Sequence, residues 1–264
     1  MGPAAESLVA LCLAVTIGAS GAAAAESERI QPDRPSVSTS ASTIEPGAAQ
    51  MESGTVYSRT SIGGSPAERQ FALELTWRVG LTERLEVRLE GEPLVVTTGQ
   101  QDDTGIGDLS LEVKYRFLDG REDSWWPSLG VMPFVKFPVA HAPHRTNAPD
   151  FGLIGLVSFD LPWRLSLDTN VGVAGLAQRP SGYLVQGTAS AALGRDIGER
   201  WSIFGEVFFA SAVERGARDS IGFDAGIQFF LTRLIALDAA GQTSLAGPGP
   251  DYAFRAGLSV RFGR

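Results

Sequence analysis

From residue 85 the chain alternates without a slip. Leu85, Val87 and Leu89 take one parity, and Glu86, Arg88, Glu90 and Glu92 the other. Successive side chains of a β-strand point to opposite faces, so this stretch has one wholly apolar face and one charged face. Phe71, Leu73, Leu75, Trp77 and Val79 repeat the pattern, as do Leu109, Leu111, Val113, Tyr115 and Phe117. It returns at Leu165, Leu167 and Val171, at Ile221, Phe223 and Ile227, and at Leu258, Val260 and Phe262. No helical period competes with it. The pattern predicts twelve strands, near residues 49–61, 70–81, 84–93, 107–118, 127–138, 150–160, 164–176, 183–194, 201–210, 219–231, 234–241 and 252–262. An even number suits a closed antiparallel barrel with both ends on one side.

The connections and the aromatics divide the strand ends into two sides. Links after even-numbered strands are tight or modest, as at 82–83, 161–163 and 232–233; several after odd-numbered strands are longer and more polar, as at 94–106, 139–149 and 242–251. Outer-membrane barrels are built with short turns on one side and long loops on the other. Trp77, Trp125, Trp126, Trp163 and Trp201 all fall on the tight side, with Tyr115, Phe117, Phe229 and Phe262. Tyr57, Phe71, Phe137, Phe151, Tyr183, Phe209, Tyr252 and Phe254 mark the other rim. Amphipathic rings favour the headgroup level, so two girdles bracket an apolar band. The fold class expected is therefore all-β, a transmembrane antiparallel up-and-down β-barrel of about 12 strands with its apolar faces toward lipid. A soluble exported β-barrel binding a small ligand explains the alternation equally well. It does not explain the tryptophans or the loop asymmetry, and it would need a very large core.

Composition adds the topogenic signals. The chain has 264 residues, 44% hydrophobic, with a net charge of -8. Residues 8–19 (LVALCLAVTIGA) form an apolar run too short to span a bilayer as a helix, and Ala23-Ala24-Ala25 resembles a cleavage site. Residues 1–25 are expected to be a signal peptide, although MGPAAES lacks a basic residue. The single cysteine, Cys12, lies within it, so the mature chain is expected to carry no disulfide and no thiol chemistry. The barrel is assigned to 48–264. Residues 26–47 are Ser/Thr/Pro-rich and lack a strand pattern; they read as a periplasmic tether or as a partial plug, with Asp33 and Arg34 meeting charges on the wall.

The stretch QPDRPSVSTSASTIEPGAAQMESG, with Asp33, Arg34, Pro35, Pro46, Gly47, Gln50, Glu52 and Gly54, resembles the start of the phenol meta-pathway (Phenol MetA deg) family of outer-membrane transporter-like β-barrels. GIGDLSLEVKYRF (105–117) and MPFVKFP (132–138) look like that family's inner hairpin motifs, although Val139 and Ala140 stand where members tend to carry Thr-Gly. The resemblance covers essentially all of 31–264 and implies an outer-membrane transporter, without a set of functional residues to carry over.

Nothing in the sequence reads as a catalytic centre. His141 and His144 sit in an expected outer loop without neighbouring ligands, and there is no G-x-S-x-G, phosphate loop or dinucleotide fingerprint. The expectation is no enzyme activity, no cofactor, no metal and no nucleic-acid partner. Function should reside in the inward-facing set: Glu74, Arg78, Glu86, Arg88, Glu90, Glu92, Glu112, Lys114 and Arg116, with Lys136, Asp168, Glu206, Asp224, Asp238, Arg255 and Arg261 further round. These charges either brace the barrel as a ladder of salt bridges or form a constriction that orders permeating solutes. They concentrate on the second to fourth strands, whereas the sixth to eighth present Gly152, Gly172, Ala174, Thr188 and Ser190 inward. A wall charged on one side and smooth on the other suits an amphiphilic or aromatic solute. The reading is a channel or transporter for passive uptake of small molecules, aromatic or hydrophobic ones among them, in the outer membrane of a Gram-negative bacterium. Its partners would be outer-membrane lipid, small-molecule solutes and the barrel-assembly machinery, whose C-terminal aromatic signal Phe262 resembles. A structural or adhesion barrel without transport is the rival reading.

Overall fold

The computed structural model describes residues 29–263 apart from 62, 64, 65, 100, 101 and 141–147. The expected signal peptide, with Cys12, and both histidines lie outside the described residues. The remainder forms one antiparallel sheet of strands β1 (Ala49–Thr60), β2 (Glu68–Thr82), β3 (Leu85–Thr98), β4 (Asp103–Gly105), β5 (Leu109–Leu118), β6 (Ser128–Phe137), β7 (Asp150–Leu161), β8 (Leu165–Ala177), β9 (Tyr183–Ile197), β10 (Trp201–Ala210), β11 (Ser220–Phe230), β12 (Ile235–Ala246) and β13 (Tyr252–Phe262). Apart from β4 and β5, each strand pairs with its neighbour in sequence, and β1 pairs with β13, which closes the sheet into a barrel. β4 and β5 both pair with β3, at Val95–Thr97 and Leu85–Gly91, so together they make one stave and the barrel has twelve.

The expected strands appear in place, with three corrections. The fourth stave is broken at 106–108. Opposite the break, β3 carries Pro93 in a bulge, where the β2–β3 register jumps between Leu73 and Leu75, and the Gly107 amide donates to the Glu92 carbonyl at 2.8 Å. A proline cannot donate to a ladder, and a bulge absorbs the mismatch. β3 runs on to Thr98 and β12 to Ala246, both into stretches read as loop because Thr, Ser and Gly dilute their alternation.

Burial is inverted relative to a water-soluble protein. Val171, Val185 and Phe254 are 69%, 72% and 60% exposed, while the largest fully buried side chains include Arg78, Lys114, Gln50, Glu52, Glu86 and Glu206. The apolar parity faces outward, where only lipid can cover it, and closure of the sheet through β1 and β13 leaves no free edge along the twelve staves apart from short β4. The girdles stand where expected: Trp77 stacks on Phe262 and Trp201 packs at a tilt against Phe229 at the short-turn rim, and Phe151 meets Tyr183 at the other.

Candidate functional site

Residues 29–48 are folded into the barrel. Both ends of this segment lie at the short-turn rim. At one, the Arg29 guanidinium sits 4.1 Å from the centre of the Phe230 ring and 2.6 Å from Asp196, while the Ile30 amide donates to the Arg233 carbonyl at 2.7 Å. At the other, a turn closes with the Ala48 amide donating to the Glu45 carbonyl at 3.1 Å. Pro46 and Gly47 occupy its centre. Gly47 has φ +79°, which a proline–glycine turn requires and an L side chain resists.

Between these ends the backbone is held by side chains of the wall. Glu206 accepts from the Val37 and Ser38 amides at 2.7 and 2.6 Å. Asn170 accepts from the Thr39 amide at 2.7 Å and donates back to its carbonyl at 2.9 Å. Ser158 Oγ accepts from the Ala41 amide at 2.8 Å, and Glu86 from the Ile44 amide at 2.9 Å. Ala41 packs on Met132 and Leu156, Ser38 Oγ meets Ser190 Oγ, and Gln228 and Arg255 donate to carbonyls of the segment. With the ion pairs below, all twelve staves touch it, which places it across the barrel axis. A tether outside the barrel is not what this segment forms.

Its charged pair explains much of the inward-facing set. Arg78 lies directly across from Arg88 on β2 and β3, a like-charge pairing that would be unfavourable alone. Asp33 inserts between them: its carboxylate is 3.2 Å from Arg78, 3.1 Å from Lys114 and paired with Arg88. Arg78 also meets Glu52 and Glu86 at 2.7 Å each, and Arg88 meets Glu112 at 3.0 Å. Burial pushes the Asp33 pKa up, but Arg78, Lys114 and Arg88 together outweigh it and hold the carboxyl well below its ordinary range. Arg34 turns the opposite way, to Glu74 and to Asp238 at 3.6 Å. It fits because Gly54 and Gly257 face each other across β1 and β13, and a Cβ on either would collide with its guanidinium.

Of the residues expected in the lumen, Arg78, Glu86, Arg88, Glu112 and Lys114 thus converge on Asp33, and Glu74 joins Arg34. Glu90 and Glu92 face the lumen on the long-loop side of this cluster and make no salt bridge among the described residues. Arg116 departs from the set: it reaches the rim, to Asp119 at 3.1 Å and the Glu83 carbonyl at 2.8 Å. Sequence reading missed the inward phenylalanines. Phe134, Phe204 and Phe208 lie over Gly152, Gly226 and Gly222 of the adjoining strand, where a Cβ would collide with each ring. An aromatic at an inward position opposite a glycine is a readable signal once the register is known.

The segment does not fill the barrel. Between it and β7–β11, at the short-turn end, a cavity of about 1020 Å³ remains, lined by Ser158, Asp168 and Ser166 as well as Phe204 and Phe230.

The model of the family described as "Putative MetA-pathway of phenol degradation" matches residues 32–262. No curated protein matches the sequence. Among solved structures, the COG4313 outer membrane channel from Pseudomonas putida F1 is 15% identical with a TM-score of 0.69, covering 88% of this chain and 100% of that one. The NanC porin is 11% identical with a TM-score of 0.56, covering 80% and 98%. The transport unit of the autotransporter AIDA-I from Escherichia coli is 11% identical with a TM-score of 0.53, covering 89% and 93%. At these identities the likeness is one of fold: the chain has the architecture of outer-membrane barrels.

Proposed function

We propose that this chain, which belongs to the phenol meta-pathway family, is a passive outer-membrane channel for small solutes, constricted by its own N-terminal segment. The short-turn rim faces the periplasm, residues 1–25 direct export, and the barrel-assembly machinery inserts the chain. The observation that carries the reading is the division of the lumen. Asp33 and Arg34 lock the segment against the charged wall of β1–β5, and free space is left along β7–β11. A solute on that path meets hydroxyls and carboxylates interleaved with Phe204 and Phe230 rather than a continuous polar surface. Such a lining accommodates amphiphilic molecules, because an aromatic body finds apolar contact while its polar group keeps hydrogen-bond partners. We therefore assign small aromatic and hydrophobic molecules among the solutes. Movement is diffusive and follows the gradient.

The test is flux. Liposomes containing the purified protein should take up small neutral phenols and sugars of similar size faster than empty liposomes, with the phenols favoured beyond their bare-lipid rate. Equal rates with and without protein would instead favour a structural barrel without transport.

A further inference from the structure

We infer that the passage discriminates by charge, admitting cationic and neutral solutes ahead of carboxylates; this deepens, and rests on, the channel reading. The cavity at the short-turn end is lined by seven carboxylate residues and four arginines. Two of the seven are spoken for: Asp33 is held by three cations, and Asp196 by Arg29. Glu122, Asp123 and Asp160 stand together at its mouth and make no salt bridge among the described residues. Further along, the lumen beyond the ion cluster presents Glu90 and Glu92, likewise outside any such bridge. The cations on the opposite wall do not offset them, since Arg78, Arg88 and Lys114 are already committed to Asp33, Glu52, Glu86 and Glu112. Seven carboxylates against four arginines leave the cavity lining with a net negative charge, so a solute meets a negative potential there, inside low-dielectric walls that focus the field.

The field can be read without relying on conduction. Ser166 lines the cavity directly across from Asp160 on neighbouring strands. In full-length protein carrying Ser166→Cys, with Cys12 replaced by Ser, a cationic methanethiosulfonate should modify the thiol faster than an anionic one of similar size. Each kT of negative potential separates the two rates by about sevenfold, relative to their ratio on a free thiol. Adding Glu122→Gln, Asp123→Asn and Asp160→Asn should shrink that ratio severalfold. A ratio equal to that of the free thiol, or one favouring the anionic reagent, overturns the inference whether or not the barrel conducts. Bilayer conductance separately decides the channel reading, and where current flows a reversal potential of anionic sign would also overturn the inference.

Discussion

Replacing Asp33 with Asn should undock the N-terminal segment while leaving the barrel standing. The substitution keeps the side chain's size and removes the one carboxylate that Arg78, Arg88 and Lys114 share. Removing one partner from a buried ion pair costs about 3–5 kcal/mol, because the remaining charges stay buried without compensation. Opposing this, the hydrogen bonds that the segment's amides donate to Glu206, Asn170, Ser158 and Glu86 remain, each contributing on the order of 1 kcal/mol, or about twice that where a carboxylate accepts. The twelve staves keep their ladders, so the loss falls on docking. At tenfold per 1.4 kcal/mol, the docked-to-undocked ratio should fall by roughly two to three and a half powers of ten. Trypsin reads this at the Arg29–Ile30 bond, which docking protects because Ile30 is fully buried against Phe230 and Ala236. When opening is fast relative to cleavage, the cleavage rate tracks the open population. Heat-modifiable migration on gels reports the barrel in the same samples. A variant that is folded by that criterion and cut at Arg29 no faster than wild type would refute the latch.

Three further outcomes follow from the same geometry. Gly54→Leu drives a side chain into the Arg34 guanidinium and should raise Arg29 cleavage as well, whereas Gly187→Ala, with open space around its Cβ position, should not. Glu206→Ala orphans the Val37 and Ser38 amides and should cost about 2–4 kcal/mol of docking, read by the same protease assay. Val171→Arg places a charge on the outward face in mid-strand and should lower barrel stability in bilayers by about 2–4 kcal/mol, measured by urea unfolding in liposomes; an unchanged midpoint would place that face away from lipid.

The strands were legible because each carries its own alternation, and because turn residues and aromatics mark the rims independently. Leu85 to Glu90 could be placed without knowing its neighbours. The break at 106–108 was not, since it depends on Pro93 lying across the interface from it, which is a matter of register. The position of residues 29–48 was open for a similar reason. Ser and Thr there bind through backbone amides and carbonyls that any sequence possesses, so the composition that suggested a tether served equally for a docked segment. Two clues lay in the sequence. Gly54 and Gly257 occupy inward positions that a water-filled lumen would not require to be small, and Arg78 and Arg88 fall directly opposite one another once the β2–β3 register is drawn. Both point to something that must fit there, and Arg34 and Asp33 supply it. Arg116 was misplaced because parity fixes the face of a residue but not its height along the barrel.

The most direct test of a lumen constricted by its own N-terminus is single-channel recording in planar bilayers, comparing the mature chain with one lacking residues 26–41. The account predicts discrete steps for both, several-fold larger for the shortened chain, with no change in barrel migration on gels. Steps of equal size would contradict the constriction, and the absence of current from either chain would contradict the channel itself.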